Sequence, residues 1–162
     1  PVDPVWRAVR FLMLSNFSYL GKMETLSFPS RNTKKLALGR LRKVYEQIYD
    51  VDFMCTDFRE IFRKIESRNR DVAFVYADPP YLETDNNYSA GFKEEDSRDL
   101  FDCLEDSGIR WAMSEFDHPF VLEQAEERGL KVLEIGERHN LKNRRKEILI
   151  INYDSAQRGL FD

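Results

Sequence analysis

The sequence lacks several features that would each indicate a particular class of protein. None of its apolar runs approaches the roughly 20 residues of a membrane-spanning helix. Its two cysteines, Cys55 and Cys103, form no CxxC pair, and together with two histidines they make no metal site at these spacings. We therefore expect no metal and no membrane partner, and we expect both cysteines to be buried thiols in a reducing compartment.

An excess of basic residues is also missing. The formal net charge is −4, so a nucleic-acid partner would have to be bound through local basic patches. A hydrophobic content of 42% and a charged content of 33% are typical of a globular domain rather than a disordered chain. The length of 162 residues allows one domain with a single core.

Residues 1–50 predict two helices separated by a hairpin. Asp3 followed by proline is typical of a helix start, and an apolar stripe of helical period covers residues 3–15. Residues 16–28 alternate loosely around a Gly-Lys pair, which predicts the hairpin. Residues 34–49 carry a second stripe of helical period.

Strands and helices alternate through residues 51–153, ahead of a polar tail at 154–162. The predicted strands are 51–55, 73–77, 109–114, 130–135 and 147–153, and the predicted helices are 58–66, 94–106 and 118–128. This order predicts the α/β class with a parallel, Rossmann-like sheet, in which the apolar strand 73–77 is covered on both faces. The last strand follows a connection too short for a helical crossover, so we expect it to pair antiparallel.

The stretch Asp78-Pro79-Pro80-Tyr81 follows strand 73–77 directly, at the strand end where open α/β sheets bind ligands. Each proline fixes φ and lacks an N–H donor, so the turn is stiff and its carbonyls face outward. The carboxylate and a carbonyl can accept both hydrogens of an aromatic amine while the tyrosine ring stacks on the heterocycle. Catalysis would then consist of positioning and electrostatics. The alternative is a surface turn with a packed tyrosine.

This motif resembles that of amino-methyltransferases that act on the exocyclic amine of adenine. Four further segments resemble parts of Dam-type DNA adenine methyltransferases, in the same order along the chain. They are RAVRFLMLSNFSYLG at 7–21, FMCTDFREIF at 53–62, IRWAMSEFDHPFV at 109–121 and KEILIINY at 146–153. The resemblance implies a partial Rossmann-like methyltransferase sheet at 51–153 and a small helix-hairpin target-recognition region at 1–50.

The resemblance also implies a substrate, a cofactor and a role for each matching residue. The substrate is a flipped adenine in double-stranded DNA, and the methyl donor is S-adenosylmethionine. Asp78 and the carbonyl of Pro79 bind the amine, Pro80 stiffens the turn and Tyr81 stacks on the base. Asp57, Phe58 and Asp78 are the implied cofactor-binding residues. Plain alternatives are a helix N-cap for Asp57 and a core position for Phe58.

Candidate DNA contacts come from three regions, and the plain alternatives are, in turn, an ordinary hairpin with a half-buried aromatic pair, a disordered loop and a solvated basic loop. The candidates are Phe17, Tyr19 and Lys22 in the predicted hairpin, Tyr88 in the polar loop 83–92, and Arg144, Arg145 and Lys146 in the basic loop or hairpin 138–146. Better-known family members have an Asn-Gly and an Arg in the recognition region. This chain reads NFSYLGK at 16–22, so the recognised DNA sequence stays open.

The family's Gly-rich cofactor loop has no counterpart here. The seven glycines lie at 21, 39, 91, 108, 129, 136 and 159, and none forms a GxG. We expect a C-terminal part of an enzyme that begins at Pro1 without a native start, has an exposed sheet edge with apolar surface, and is inactive alone. A missing N-terminal segment or a partner chain would supply the loop. The alternatives are one subunit of a split methyltransferase and a non-catalytic DNA-binding or assembly module.

Two other substrates fit the same chemistry less well. Enzymes of this type that act on RNA tend to have Trp after the prolines, and those that act on a protein glutamine amide tend to have Asn before them. Asp78 and Tyr81 argue against both. The resemblance implies a cytoplasmic enzyme of a bacterium or phage, either an orphan or part of a restriction-modification system.

Overall fold

The computed structural model describes residues 3–18, 33–65, 70–82, 91–139 and 144–154. The chain divides into two compact units, Pro1–Met54 and Cys55–Asp162. In their described parts, the first unit contains two helices and the second combines three helices with a four-stranded sheet. The fold is therefore of the mixed α/β class, as the alternation of elements predicted.

The helices of the first unit are α1, Pro4–Phe17, and α2, Thr33–Ile48. The carboxylate of Asp3 accepts a 2.8 Å hydrogen bond from the backbone N–H of Val5, which confirms the predicted helix start. The prediction that the hairpin begins at residue 16 is wrong, because the amide of Ser18 still donates to the carbonyl of Leu14 at 3.1 Å. Phe17 is consequently the last residue of α1. Residues 19–28 of the predicted hairpin lie outside the described residues.

Both helices leave large apolar side chains exposed. Their exposed members are Val5, Trp6, Val9, Phe11, Leu12, Met13, Leu41, Val44, Tyr45 and Ile48. Helical periodicity thus located α1 and α2 correctly without indicating what covers their apolar stripes. No helix in the described part of the chain is long and apolar enough to cross a membrane.

Residues 51–55 form no strand, so that prediction is wrong. Phe53 is 75% exposed and Met54 is 64% exposed, and the described strands all pair elsewhere. An apolar run becomes a strand when a neighbouring strand accepts its backbone hydrogen bonds and a core buries its side chains. Cys55 is also exposed, which corrects the expectation of a buried thiol there, while Cys103 is partly buried.

The second unit supplies the remaining elements. In chain order they are α3, Phe58–Lys64; β1, Phe74–Ala77; α4, Glu94–Asp106; β2, Arg110–Phe116; α5, Pro119–Glu127; β3, Lys131–His139; and β4, Arg144–Ile151. The strands lie in the order β1-β2-β4-β3. β1 is parallel to β2, and β4 is antiparallel to both of its neighbours, which confirms the predicted direction of the last strand.

Local sequence sets the ends of the three helices. The carboxylate of Asp57 accepts the amide of Arg59 at 2.9 Å and begins α3, and the imidazole of His118 begins α5 in the same way. Gly108 and Gly129 follow α4 and α5 with φ of 64°, where glycine avoids the strain of a Cβ atom. Both predicted helix ends at these glycines are confirmed.

The core lies between one face of the sheet and the helices α4 and α5. Phe101 and Leu104 of α4 and Val121 of α5 are fully buried against this face. The ring of Phe101 meets Trp111 of β2 edge to face, with the centroids 6.3 Å apart. Since side chains alternate along strands, Val75 and Ala77 of β1 lie on the same face as Trp111.

The opposite face of β1 is exposed. Phe74 is 54% exposed and Tyr76 is 59% exposed, so the expectation that β1 is covered on both faces is wrong. β1 is the outermost strand of the described sheet, in line with the exposed edge that we expected, and α4 and α5 lie on its other face. Residue 78 continues the alternation onto the exposed face, where Ser114 of β2 also lies.

Candidate active site at the end of strand β1

The chain leaves the sheet abruptly after β1. The last paired residue is Ala77, opposite Met113, whereas β2 continues for three more residues to Phe116. Pro79 and Pro80 have no N–H with which to extend the ladder, so the following residues cross over the end of β2 instead. Residues 78–82, called here the 78–82 segment, form the candidate site.

Asp78 is fixed by a buried serine on the neighbouring strand. The hydroxyl of Ser114 donates to Oδ1 of Asp78 at 2.9 Å, and Ser114 itself is 1% exposed. Asp78 is exposed at the surface. The hydrogen bond from Ser114 uses one lone pair of the carboxylate and orients the group. The remaining lone pairs can accept hydrogen bonds from a ligand.

Tyr81 is held at its hydroxyl and at its ring. Its hydroxyl donates to Oε1 of Glu147 at 3.0 Å, and its ring meets Phe116 edge to face with centroids 4.6 Å apart. Burial raises the pKa of Tyr81 to about 12; a hydrogen bond with Ser114 opposes this shift, and the Glu147 carboxylate adds to it. The phenol is therefore neutral at physiological pH and able to donate.

Leu82 anchors the end of the segment. Its side chain is 3% exposed within the core, and its carbonyl accepts a 3.2 Å hydrogen bond from Nη1 of Arg145. Glu115 is buried nearby, at 1% exposure, and accepts the amide of Phe116 at 2.9 Å. Burial raises the pKa of Glu115 to about 7, although backbone hydrogen bonds from Phe116 and Leu82 counteract part of that shift.

Sequence reasoning missed the residues that hold the segment, namely Ser114, Glu115 and Glu147. Ser114 and Glu115 lie in β2, which is otherwise largely apolar and buried, whereas Glu147 follows three basic residues in β4. Buried polar groups need hydrogen-bond partners, so a polar residue in such a strand indicates a network even before the partner is known. That pattern could have identified Ser114 and Glu115, whereas no local signal separates Glu147 from the charged residues before it.

The implied cofactor residues Asp57 and Phe58 lie in a different network, at the start of α3. Asp57 caps the helix and pairs with Nη1 of Arg59 at 3.2 Å. The same guanidinium donates to Asp96 at 2.9 Å and to Asp99 at 2.8 Å. These carboxylates raise the pKa of Arg59, and the guanidinium in turn lowers the pKa of Asp96. The N-cap interpretation of Asp57 is thus confirmed.

Asp57 and Phe58 differ in how well they fit a bound cofactor. The side chain of Asp57 is 52% exposed, so its carboxylate can accept a further hydrogen bond from an amine. The ring of Phe58 is partly buried against the core and carries the guanidinium of Arg59 at 4.4 Å from its centroid. The exposure of Asp57 is thus compatible with the implied binding of a polar group of the cofactor, whereas Phe58 packs against the core. The hydrogen bonds found in the described ranges do not link either residue to Asp78.

The candidate DNA-binding residues fall into different surroundings. Phe17 ends α1 in the first unit, while Tyr19, Lys22 and Tyr88 lie outside the described residues. β3 and β4 pair as far as His139 opposite Arg144, so of the two forms predicted for residues 138–146 the hairpin is confirmed.

Arg145 and Lys146, which follow in β4, differ in their contacts. Arg145 is partly buried, with its guanidinium on the carbonyl of Leu82 and 5.6 Å from the centroid of Phe116. Lys146 is exposed and pairs with Glu134 at 2.9 Å, a contact that raises its pKa. Lys146 is consequently the more accessible of the two for a phosphate.

Residues 6–146 match the family model of the D12 class N6 adenine-specific DNA methyltransferases. The match covers most of the chain and includes the entire 78–82 segment together with Ser114 and Glu115. The chain belongs to this family, and the resemblance found in the sequence is confirmed.

Proposed function

We propose that this member of the family takes part in S-adenosylmethionine-dependent methylation of the exocyclic amine of adenine in double-stranded DNA. The observation that carries the proposal is the geometry of the 78–82 segment. Asp78 and Tyr81 stand three residues apart on a stiff turn, and each is tied to the sheet by its own hydrogen bond. The four-stranded sheet would be one part of a Rossmann-like methyltransferase sheet.

Binding of the amine would use two acceptors of the turn. The carboxylate of Asp78 and the carbonyl of Pro79 would each accept one N–H, because both are acceptors without a competing local amide. Accepting both hydrogens increases electron density on the amine nitrogen and favours tetrahedral geometry there. This is electrostatic stabilisation by groups that are oriented before the reaction begins.

The cofactor supplies a methyl group on a sulfonium when it is bound. Asp78 and the carbonyl of Pro79 would orient the amine nitrogen towards that methyl group, and Asp78 would pass the proton that the nitrogen gives up to solvent. Tyr81 would hold the adenine ring by stacking, which compensates for part of the few kcal/mol that flipping the base costs. Asp57, next to Phe58, would accept a hydrogen bond from the bound S-adenosylmethionine.

Residues outside the 78–82 segment would make further contacts with DNA. Lys146 and Arg144 are the proposed phosphate contacts in β4, in keeping with the exposure of Lys146. The proposal keeps Phe17, Tyr19, Lys22 and Tyr88 as residues that reach the duplex. Arg145 has a competing role as an anchor of Leu82, described above.

The test is methyl transfer by the complete enzyme with tritiated S-adenosylmethionine and a mixed-sequence duplex. Digestion of the product to nucleosides should place the label in N6-methyl-2′-deoxyadenosine. Asp78→Ala should reduce the rate at least a hundredfold, since an oriented acceptor of this kind is worth orders of magnitude in rate. Asp71→Ala is the matched control, because Asp71 is an exposed aspartate before the other end of β1.

Two outcomes would overturn the proposal. One is label in another nucleoside, which would remove adenine as the substrate. The other is an Asp78→Ala enzyme as active as the Asp71→Ala control, which would remove the 78–82 segment from the reaction.

A further inference from the structure

The geometry points to Glu147 as a positioning residue that fixes the ring of Tyr81 through the tyrosine hydroxyl. Glu147 lies in β4, 66 residues beyond Tyr81, and outside the motif that identifies the site. The inference rests on the proposed function, because its consequence concerns the ring that would stack on the target base. It assigns a role in the reaction to a residue that makes no contact with substrate.

The ring of Tyr81 bridges two neighbouring strands. Phe116 of β2 and Glu147 of β4 are directly opposite each other in the sheet register. The Tyr81 ring packs on the first of these residues, and its hydroxyl donates to the second at 3.0 Å. The two contacts act on different parts of the same side chain, so together they restrict both of its side-chain torsions.

The backbone beside Tyr81 is restricted as well. Pro80 precedes it with a fixed φ, and the carbonyl of Leu82 after it accepts from Arg145. Arg145 lies two residues from Glu147 on the same strand and therefore on the same face. With the main chain fixed on both sides, the direction of the ring depends on the contacts of the side chain itself, and the hydrogen bond to Glu147 is the one that holds its hydroxyl end to β4.

A flipped adenine must be held by the site after it leaves the duplex. A Tyr81 ring that already has its final orientation can stack on the base as it arrives. Ordering a free tyrosine during binding would cost conformational entropy at that moment, and a ring that is already oriented avoids this cost. A carboxylate suits the task because a hydrogen bond to a charged acceptor is stronger than one to a neutral acceptor. The phenol of Tyr81 also interacts with the charge of Asp78 and with the hydroxyl of Ser114.

The kinetic test is a double-mutant cycle on methyl transfer by the complete enzyme. Tyr81→Phe keeps the ring and removes the hydroxyl, and Glu147→Leu removes the acceptor. We expect each change to lower kcat/KM roughly tenfold, and the double variant to lose clearly less than the product of the two losses, because the hydrogen bond between Tyr81 and Glu147 is removed by both changes. Glu147→Gln keeps an acceptor oxygen and should restore most of the rate.

Glu123→Gln is the control for the cycle, since Glu123 is an exposed carboxylate of α5, away from the 78–82 segment. Losses in the two single variants that multiply in the double variant would overturn the inference. So would full activity of Glu147→Leu.

A second test does not depend on activity. Incorporated 3-fluorotyrosine ionises at a lower pH than tyrosine, so its titration can be followed by fluorine NMR while the protein stays folded. The resonance of Tyr81 is the one that Tyr81→Phe removes from those of the seven tyrosines. Glu147→Gln should shift that titration to lower pH, because a nearby carboxylate disfavours the phenolate.

The two tests separate the inference from the proposed function. A shift of the Tyr81 titration in Glu147→Gln, with no methyl transfer by the wild-type enzyme, would leave the contact standing and remove the function. Methyl transfer with an unshifted titration would leave the function standing and overturn the role of Glu147.

Discussion

Helices α2 and α4 carry the same kind of sequence pattern and have opposite surroundings. Both show apolar residues at helical spacing, and both form at the predicted places. In α4, Phe101 and Leu104 are 0% exposed, whereas in α2 Leu41 is 41% exposed and Val44 is 47% exposed. Periodicity therefore predicts the helix and the stripe, but not whether the stripe is buried.

The difference has consequences for stability in the two units. The α/β unit has a continuous core of buried side chains, so we expect it to unfold as one cooperative transition. In the first unit the large apolar side chains are exposed at α1 and α2, so their contribution to stability should be small. The changes below test this contrast, from the largest expected effect to the smallest.

Leu104→Ala should have the largest effect. Removing a fully buried leucine leaves a cavity and should lower the free energy of unfolding by about 2–5 kcal/mol. The measurement is urea unfolding in a Trp6→Phe background, in which Trp111 of the core is the single tryptophan that remains. An effect below roughly 1 kcal/mol would mean that α4 is not part of the cooperative core.

The buried carboxylate of Glu115 should make the stability of the α/β unit depend on pH. Burial raises its pKa from 4.5 to about 7, so between these values the folded state binds a proton that the unfolded chain has released. The free energy of unfolding should therefore fall as pH rises through this range, by up to ~3 kcal/mol from this group.

Glu115→Gln removes this contribution while keeping an acceptor for the backbone amides. Urea unfolding at several pH values should show a weaker decline for this variant between pH 4.5 and about 7. Glu123→Gln, on the exposed side of α5, serves as the control. Identical slopes in the wild type and Glu115→Gln would contradict the buried, proton-binding carboxylate.

The two tryptophans report on the two units separately. Trp6 of α1 is 68% exposed and Trp111 of β2 is 0% exposed. Acrylamide should quench the emission of the Trp111→Phe variant, which retains Trp6, several times more strongly than that of Trp6→Phe. Equal quenching would mean that Trp6 is covered in solution. Exposure of apolar side chains on α1 would then no longer distinguish the first unit from the α/β unit.

Leu41→Ala should have the smallest effect and is the matched partner of Leu104→Ala. The same atoms are removed from a helix of similar length, but from a residue that is 41% exposed. We expect a change below about 1 kcal/mol in urea unfolding followed by far-UV circular dichroism, which reports on the helices of both units. A loss as large as that of Leu104→Ala would show that α2 packs against something in solution.

Local chemistry explains which parts of the fold could be predicted from the sequence. Asp57, His118, Gly108 and Gly129 fix helix ends through their own side chains or φ angles, so neighbouring residues suffice to predict them. The two prolines likewise end β1 locally. Residues 51–55 failed as a strand because strand formation depends on a partner that sequence pattern does not reveal.

The candidate site likewise contains residues that could be predicted from the sequence and residues that could not. Asp78 and Tyr81 could be predicted because they belong to one short motif. Their partners Ser114 and Glu147 come from other strands, and only the sheet register brings them to the motif. The exposure of Phe74 and Tyr76 depends on which face the helices cover, which is also a property of the whole sheet.

The central claim is that the 78–82 segment binds the amine of a flipped adenine. A crystal structure of the complete enzyme with a duplex and a non-reactive analogue of the methyl donor tests it most directly. We expect the exocyclic nitrogen about 3 Å from both Asp78 and the carbonyl of Pro79, with the base stacked on the ring of Tyr81. An adenine that stays in the duplex, or binds away from Asp78, would contradict it.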